Sequence, residues 1–368
     1  MKLDNTAISR ELVTEHVTRL MEAARVPGLA VSLFNNNRAV YKQAFGTTRI
    51  FDGHQIQPDT VFYGASLSKP VFAVLVMQLV EDGLLELDRP LVKYLEQLHK
   101  YKQAAKWWKD FRELHDDPRY RLITPRMCLE HTTGLPNWRW HEPETKLRIK
   151  FEPGTRYSYS GEAFCLLQDV MEKITAKSLE RLARERIFRP LGMKHSSYVW
   201  QTRFEKDFCY GHTKEGEVFP RDKDNGARGG STLETTLDDF TAFLEAVLLK
   251  KLLSAASINE MFTPQVRIQT LRQFGPDAEE QTNQFDDIRL SSGLGWGLVD
   301  SPYGYAAFKE GHGSGFSHYC ILFPESRIGA LVMSNSFAAE GIFPELFELL
   351  IGDKFSPWEW KGYKPYNQ

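Results

Sequence analysis

Strand-like segments lie at the two ends of this chain with helical patterning between them, and that distribution allows few folds. Near the start, residues 26–34 read as a strand, Asn35-Asn36-Asn37 as a turn and 39–45 as a second strand, which together signal a β-hairpin. Strand patterns return at 294–299, 305–308, 316–323 and 328–334. An amphipathic helical pattern over 8–24 precedes the first strands, and a helix over 341–350 follows the last. From 84 to 262 the pattern is mostly helical with long loops, with helix starts at Ser178 and at Thr236-Leu-Asp-Asp239. One sheet must then be assembled from both chain ends. The expected class is α+β: an antiparallel sheet flanked by N- and C-terminal helices, with a mostly helical domain inserted. The expected boundaries are 1–65 and 290–368 for the discontinuous sheet domain and 66–289 for the insertion, with the site between the two.

Composition narrows the function classes. The 368 residues are 42% hydrophobic and 26% charged, which suits one large core or two intertwined lobes. A net charge of −2 offers no surface for nucleic acid. The longest apolar stretch, 71–80, is far short of the ~18 residues of a membrane span and reads as a helix buried all round. Met1 to Arg10 holds no apolar signal core, so the expected location is cytoplasmic, or periplasmic or secreted if a leader was removed. Cys128, Cys165, Cys209 and Cys320 lie far apart and read as buried free thiols, with a disulfide as the alternative. The ten histidines are scattered without metal-ligand spacing, so neither metal nor cofactor is expected.

The segment Tyr63-Gly-Ala-Ser66-Leu-Ser-Lys69-Pro70 carries the chemistry. Proline lacks an N–H, which is harmless only in a helix's first turn, so Pro70 places the helix start at or just before Ser66. Ser66 and Lys69 then share one face, where a desolvated Lys69 could accept the proton of a nucleophilic Ser66. The positive end of the helix dipole faces whatever Ser66 touches. About one Ser-x-x-Lys arises by chance at this composition, so the pair needs support from elsewhere. Two segments supply it: Glu152-Pro-Gly-Thr-Arg-Tyr157-Ser-Tyr159-Ser-Gly161, and Gly311-His312-Gly313-Ser314-Gly315 between two strands.

With these residues in order, the chain resembles the serine β-lactamase and penicillin-binding superfamily, in the branch of class C β-lactamases, D,D-peptidases of the S12 type and related carboxylesterases. That family carries Ser-x-x-Lys, then Tyr-x-Asn, then Lys-Thr-Gly or His-x-Gly on a strand. Secondary segments agree: Asp82-Gly-Leu-Leu-Glu-Leu-Asp88-Arg-Pro90 with Val92-Lys-Tyr-Leu95, Leu129-Glu-His131-Thr-Thr-Gly134-Leu-Pro136, Pro190-Leu-Gly-Met193 and Gly229-Gly230-Ser231. The resemblance implies Ser66 as nucleophile, Lys69 as general base, Tyr159 as proton shuttle and His312 as the third-strand residue, hydrogen-bonded to Tyr159 or substrate. It further implies an oxyanion hole from the backbone N–H groups of Ser66 and Gly315, and substrate contacts at Gly161, Gly313 and Ser314. The implied function is a serine hydrolase forming an acyl-enzyme on a small ester or amide, of carboxylesterase or D-amino-acid amidase or peptidase type. β-Lactamase or D,D-carboxypeptidase activity on a β-lactam or peptide is the alternative.

Two departures stand out. Gly161 replaces the family's asparagine, and His312 stands where β-lactamases carry lysine, which weakens attraction for a substrate carboxylate. Glu162 either fills in for the lost polar group or is simply solvated at a helix start. His131 reads as a turn cap, Trp296 as core and Tyr157 as packing. The polar stretch 100–121, with Trp107, Trp108 and Phe111, reads as a solvated helical insert or a lid. Gly64-Ala-Ser66-Leu-Ser68 lacks the second glycine of the α/β-hydrolase elbow. A non-catalytic penicillin-binding paralogue is the remaining rival.

Overall fold

The computed structural model describes residues 1–94 and 106–367. An eight-stranded sheet, with every neighbouring pair antiparallel, runs in the order β2-β1-β10-β9-β8-β7-β6-β5. Its strands are β1 (Gly28–Asn35), β2 (Arg38–Gly46), β5 (Val266–Arg267), β6 (Ser291–Ser292), β7 (Gly297–Val299), β8 (Ala306–Gly313), β9 (Phe316–Phe323) and β10 (Ile328–Ser334). A separate two-stranded ribbon pairs β3 (Phe62–Tyr63) with β4 (Glu234–Thr235). Asn36 and Asn37, both at positive φ, turn β1 into β2 as the asparagine run predicts. The first and last strands are neighbours, second and third from the β2 edge, with β1 pairing β10 from Leu29 to Asn35.

Alternation along β1 divides the core. Leu29, Val31 and Leu33 bury against α1 (Arg10–Ala24) and α9 (Phe343–Ile351), whereas Ala30 and Phe34 join the cluster around α2 (Ser68–Glu81). The inserted region contributes α3 (Pro125–Glu130), α4 (Glu162–Thr175), α5 (Leu179–Ala183), α6 (Arg189–Leu191), α7 (Leu237–Leu248) and α8 (Ala255–Met261), and the chain closes with α10 (Trp358–Lys361). α2 is buried all round, as its apolar run requires. No helix among the described residues is long and apolar enough to cross a membrane. All four cysteines are buried and free.

Three expectations change. The sheet already begins at Val266, inside the range assigned to the helical insertion, because β5 and β6 extend it beyond β7. β8 continues past Phe308 to Gly313. Residues 106–121 are not a solvated helix: they form short 3-10 turns that bury Trp108, Phe111, Leu114 and Tyr120. Four large side chains in sixteen residues are driven into the core whatever the polarity between them. Residues 100–105 of that stretch, and Leu95, lie outside the described residues.

Candidate active site

The Ser66 turn is pinned by the chain that follows it much later. Gly64 N–H donates to the Leu233 carbonyl (2.7 Å), and Ala65 takes a left-handed φ of 47° before the 3-10 turn Ala65–Leu67 runs into α2. Ser68 Oγ donates to Ala65 O (2.5 Å) and accepts from Leu233 N–H (2.9 Å), while Tyr198 Oη donates to Ser68 O (2.8 Å). This bracing leaves Ser66 part-exposed on the floor of a cavity of about 990 Å³.

Lys69, 1% exposed, lies one turn along. Its Nζ donates to Ser66 Oγ (3.1 Å) and to Gly230 O (2.8 Å), and stands 4.6 Å from the centre of the Tyr159 ring. Burial, with the nearby Lys309 charge, holds its ammonium well below the usual lysine range, against an opposing pull from Glu310. Tyr159 Oη donates to Ser66 Oγ (2.9 Å), and burial together with Glu310 pushes its phenol well up. His131 caps α3 in a left-handed conformation and stacks on Tyr159 at 4.4 Å. Its Nδ1 accepts from Ser160 N–H (3.0 Å), and burial keeps the ring neutral well below its ordinary range. The structure thus brings Ser66, Lys69 and Tyr159 into mutual contact, with His131 as a support.

The third strand arrives differently from the expectation. Lys309, on the part of β8 that the strand pattern missed, puts Nζ 3.2 Å from Tyr159 Oη. Burial lowers its ammonium despite the adjoining carboxylate of Glu310, which accepts from it at 2.6 Å. Glu310 also accepts from Gln273 Nε2 (2.8 Å) and pairs with Lys361 of α10. Lys309-Glu310-Gly311 is a Lys-x-Gly sequence, whereas His312-Gly313-Ser314 has no glycine in third place. That was the overlooked signal.

His312 does not reach Tyr159. Its Nδ1 contacts Glu340 Oε1 (2.5 Å) and its ring stacks on Phe337 at 4.3 Å, on the rim of the cavity. Gly313 also lines the cavity, but Ser314 and Gly315 form the hairpin turn outside it, at φ of 49° and 81°. Gly315 packs on the neighbouring 211–212 segment: its carbonyl accepts from His212 N–H (3.1 Å), and a Cβ on it would fall 2.3 Å from that nitrogen. Gly161 contacts no substrate space either, because the Trp138 indole covers it. Glu162 is neither solvated nor in the site: it is fully buried and held in a two-pronged pair by Arg139 (2.9 and 2.8 Å).

A positive-φ pair closing a two-residue hairpin makes Gly313 and Phe316 its hydrogen-bonded end pair. Alternation then directs the N–H groups of Glu310 and His312 to the opposite edge of β8, which β7 leaves open beyond Phe308. The same stretch of β8 packs closely on the Ser66 turn, where a Cβ on Gly311 would fall 2.6 Å from Gly64 O.

A Beta-lactamase family profile matches residues 13–350. The chain belongs to the Beta-lactamase family. Among its relatives, the D-alanyl-D-alanine-carboxypeptidase/endopeptidase AmpH of Escherichia coli K12 is 24% identical over 347 residues, covering 88% of this chain and 83% of that protein. Lovastatin esterase of Penicillium rubens is 29% identical over 266 residues, covering 61% and 65%. An octameric penicillin-binding protein homologue from Pyrococcus abyssi shares the fold with a TM-score of 0.73 at 21% identity, over 95% of this chain and 80% of that one. D-alanine carboxypeptidase AmpC from Burkholderia cenocepacia gives 0.69 at 21%, over 89% and 93%. Membership places this chain in a serine-hydrolase superfamily whose relatives include esterases, carboxypeptidases and β-lactamases. In this Beta-lactamase family member one part of the cavity wall beyond Ser66 is aromatic, beside a charged part that includes Glu142, Lys150, Asp222 and Arg228. Trp107, Trp138 and Trp140 pack on one another (4.5 to 5.8 Å between ring centres), and Phe274 sets its edge against Tyr159 at 5.2 Å.

Proposed function

We propose that the protein is a serine hydrolase working through a Ser66 acyl-enzyme on esters or amides that carry a bulky apolar or aromatic group. The observation that carries this is Ser66 Oγ held between Lys69 Nζ (3.1 Å) and Tyr159 Oη (2.9 Å) on the floor of an aromatic-walled cavity. A depressed Lys69 is an amine able to take the Ser66 proton as Oγ bonds to the substrate carbonyl. The oxyanion forms against the N–H groups of Ser66 and His312, each such donor being worth about 3 kcal/mol in a transition state. Tyr159 stays protonated until it hands its proton to the leaving group, and it recovers one from the Lys69 ammonium, so that the Ser66 proton departs with the alcohol or amine and Lys69 is neutral again. Water then attacks the acyl carbonyl by the reverse path, with Lys69 again accepting the proton. The aromatic wall favours the carboxylesterase or D-amidase reading.

A β-lactamase or D,D-carboxypeptidase reading is favoured by one observation, the lysine of Lys309-Glu310-Gly311 beside Tyr159. Hydrolysis of p-nitrophenyl butyrate, a phenylacetyl ester, a D-alanyl amide and a penicillin by the wild type and by Ser66→Ala tests the reading. Turnover lost in the variant, with a mass increment on Ser66 in the wild type, supports it; equal turnover in both refutes it.

A further inference from the structure

The short C-terminal helix α10 is tied to the nucleophile by an unbroken run of contacts. Lys361, 1% exposed at its side chain, pairs with Glu310 Oε2. Glu310 Oε1 accepts from Lys309 (2.6 Å), Lys309 Nζ lies 3.2 Å from Tyr159 Oη, and Tyr159 donates to Ser66 Oγ at 2.9 Å. Every charged member of this run is at most 5% exposed. The same helix braces the cavity wall. Lys361 Nζ donates to Gln273 Oε1 (3.0 Å), Gln273 N–H donates to Trp360 O (3.0 Å), and Trp360 Nε1 donates to Thr270 Oγ1 (3.0 Å). Gln273 precedes Phe274, whose ring edge meets Tyr159.

A buried cation of this kind is expensive to retain, and hydrophobic packing would hold a terminal helix at least as well. Its placement has a consequence for catalysis. One carboxylate, Glu310, is shared by two lysines, so the charge it presents to Lys309, and through it to Tyr159 and Lys69, depends on Lys361. We propose that Lys361 is a positioning residue of the active site, holding Glu310 between two cations so that Lys309 stays aimed at Tyr159 and the field around Lys69 stays positive. The assignment rests on the Ser66 acyl-enzyme reading.

The groups facing each partner set the direction of the test. Lys361 is surrounded by Glu310, Lys309 and Glu340, and burial brings its ammonium down to about 7. Lys69 feels Lys309 and Glu310 from β8 and Cys165 from α4, and stands against Tyr159, with neutral His131 behind that ring. Loss of the Lys361 charge leaves Glu310 less neutralised, which favours the protonated form of Lys69. The acid limb of kcat/KM therefore moves to higher pH.

Lys361→Met and Lys361→Arg, with Ser66→Ala as control, are assayed with p-nitrophenyl butyrate across pH. Expected for Lys361→Met is a kcat about tenfold lower, KM within about twofold of wild type and an acid limb at higher pH. Lys361→Arg should keep most of the rate and the wild-type limb. A wild-type kcat and profile in Lys361→Met overturns the proposal, as does an equal loss in the two variants, which would mean packing alone. If Lys361→Met does not fold, Glu310→Gln/Lys361→Met removes the orphaned carboxylate as well; it should still lose kcat, and wild-type turnover in it overturns the proposal. Turnover that survives Ser66→Ala overturns the nucleophile assignment and this one with it, whereas a dead Ser66→Ala beside a normal Lys361→Met overturns only the role of Lys361.

Discussion

Trp138 occupies the volume that any side chain at residue 161 would need: a Cβ on Gly161 would lie 2.6 Å from its indole. The backbone at Gly161 is ordinary (φ −81°), so the glycine answers to this contact and not to conformation. The indole is in turn stacked on Trp140 and set edge-on to Trp107. The asparagine that the family resemblance leads one to expect here has no room beside this aromatic wall.

Restoring that asparagine should therefore harm the protein. Gly161→Asn is expected to cost about 1–3 kcal/mol by overpacking and to lower turnover of aromatic esters. In a Trp138→Gly background, itself destabilised by loss of the indole, adding Gly161→Asn should cost almost nothing further. Chemical denaturation of the single and double variants checks this, and a stable, fully active Gly161→Asn would refute the account.

Lys309 supplies a test on pH. Its charge is the main neighbour depressing Lys69, so Lys309→Met should let the Lys69 ammonium rise toward its ordinary range. The reactive neutral amine is then lost at a higher pH, and the acid limb of kcat/KM shifts upward. Tyr159→Phe, which removes the proton donor to Ser66, should cost about 10²–10⁴ in kcat with folding intact. An unmoved acid limb in Lys309→Met would mean that Lys69 does not govern the rate.

Local signals were the legible ones. The β1–β2 hairpin announced itself by Asn35-Asn36-Asn37, and the Ser66 turn by Pro70 and the apolar run behind it. Lys309-Glu310 falls outside the 305–308 strand pattern because two adjacent charges look like the end of a strand. They are tolerated inside β8 only because Lys361 and Gln273, distant in sequence, compensate them. The same is true of Glu162, whose partner Arg139 is 23 positions away, and of Gly161, whose reason is Trp138. Residues defined by a partner across the fold carry no local pattern.

His318 should make the fold acid-sensitive. It is buried, its Nε2–H donates to Tyr63 O (2.8 Å), and its Nδ1 accepts from Ser334 N–H (3.2 Å), so a second proton has no acceptor. Burial brings its imidazole down to about 4 from 6.5. Between these values the unfolded chain binds more protons than the folded one, so stability is complete above about 6.5 and drains as pH falls toward 4, by at most on the order of 3 kcal/mol. Calorimetric Tm measured from pH 7 to 4.5 should fall more steeply for the wild type than for His318→Gln. Parallel curves would show that another group is responsible.

Asn137 offers the cavity a hydrogen-bond donor in place of the one lost at residue 161. Its backbone carbonyl accepts from Gly161 and Glu162 N–H (3.0 and 3.1 Å), which fixes the residue at the start of α4. Its Oδ1 also accepts from Gly161 N–H at 3.2 Å. A backbone N–H can only donate, so the oxygen of the carboxamide is the end turned inward and the NH₂ the end left for the cavity that Asn137 lines. A substrate with an amide carbonyl on its acyl side can accept from that NH₂; a plain alkanoyl ester cannot. Asn137→Ala should therefore lower kcat/KM about five- to tenfold for an N-acylated amino ester, the worth of one neutral hydrogen bond, and leave p-nitrophenyl butyrate nearly unchanged. An equal loss on both substrates would instead mean that Asn137 acts by holding the start of α4, and with it Tyr159.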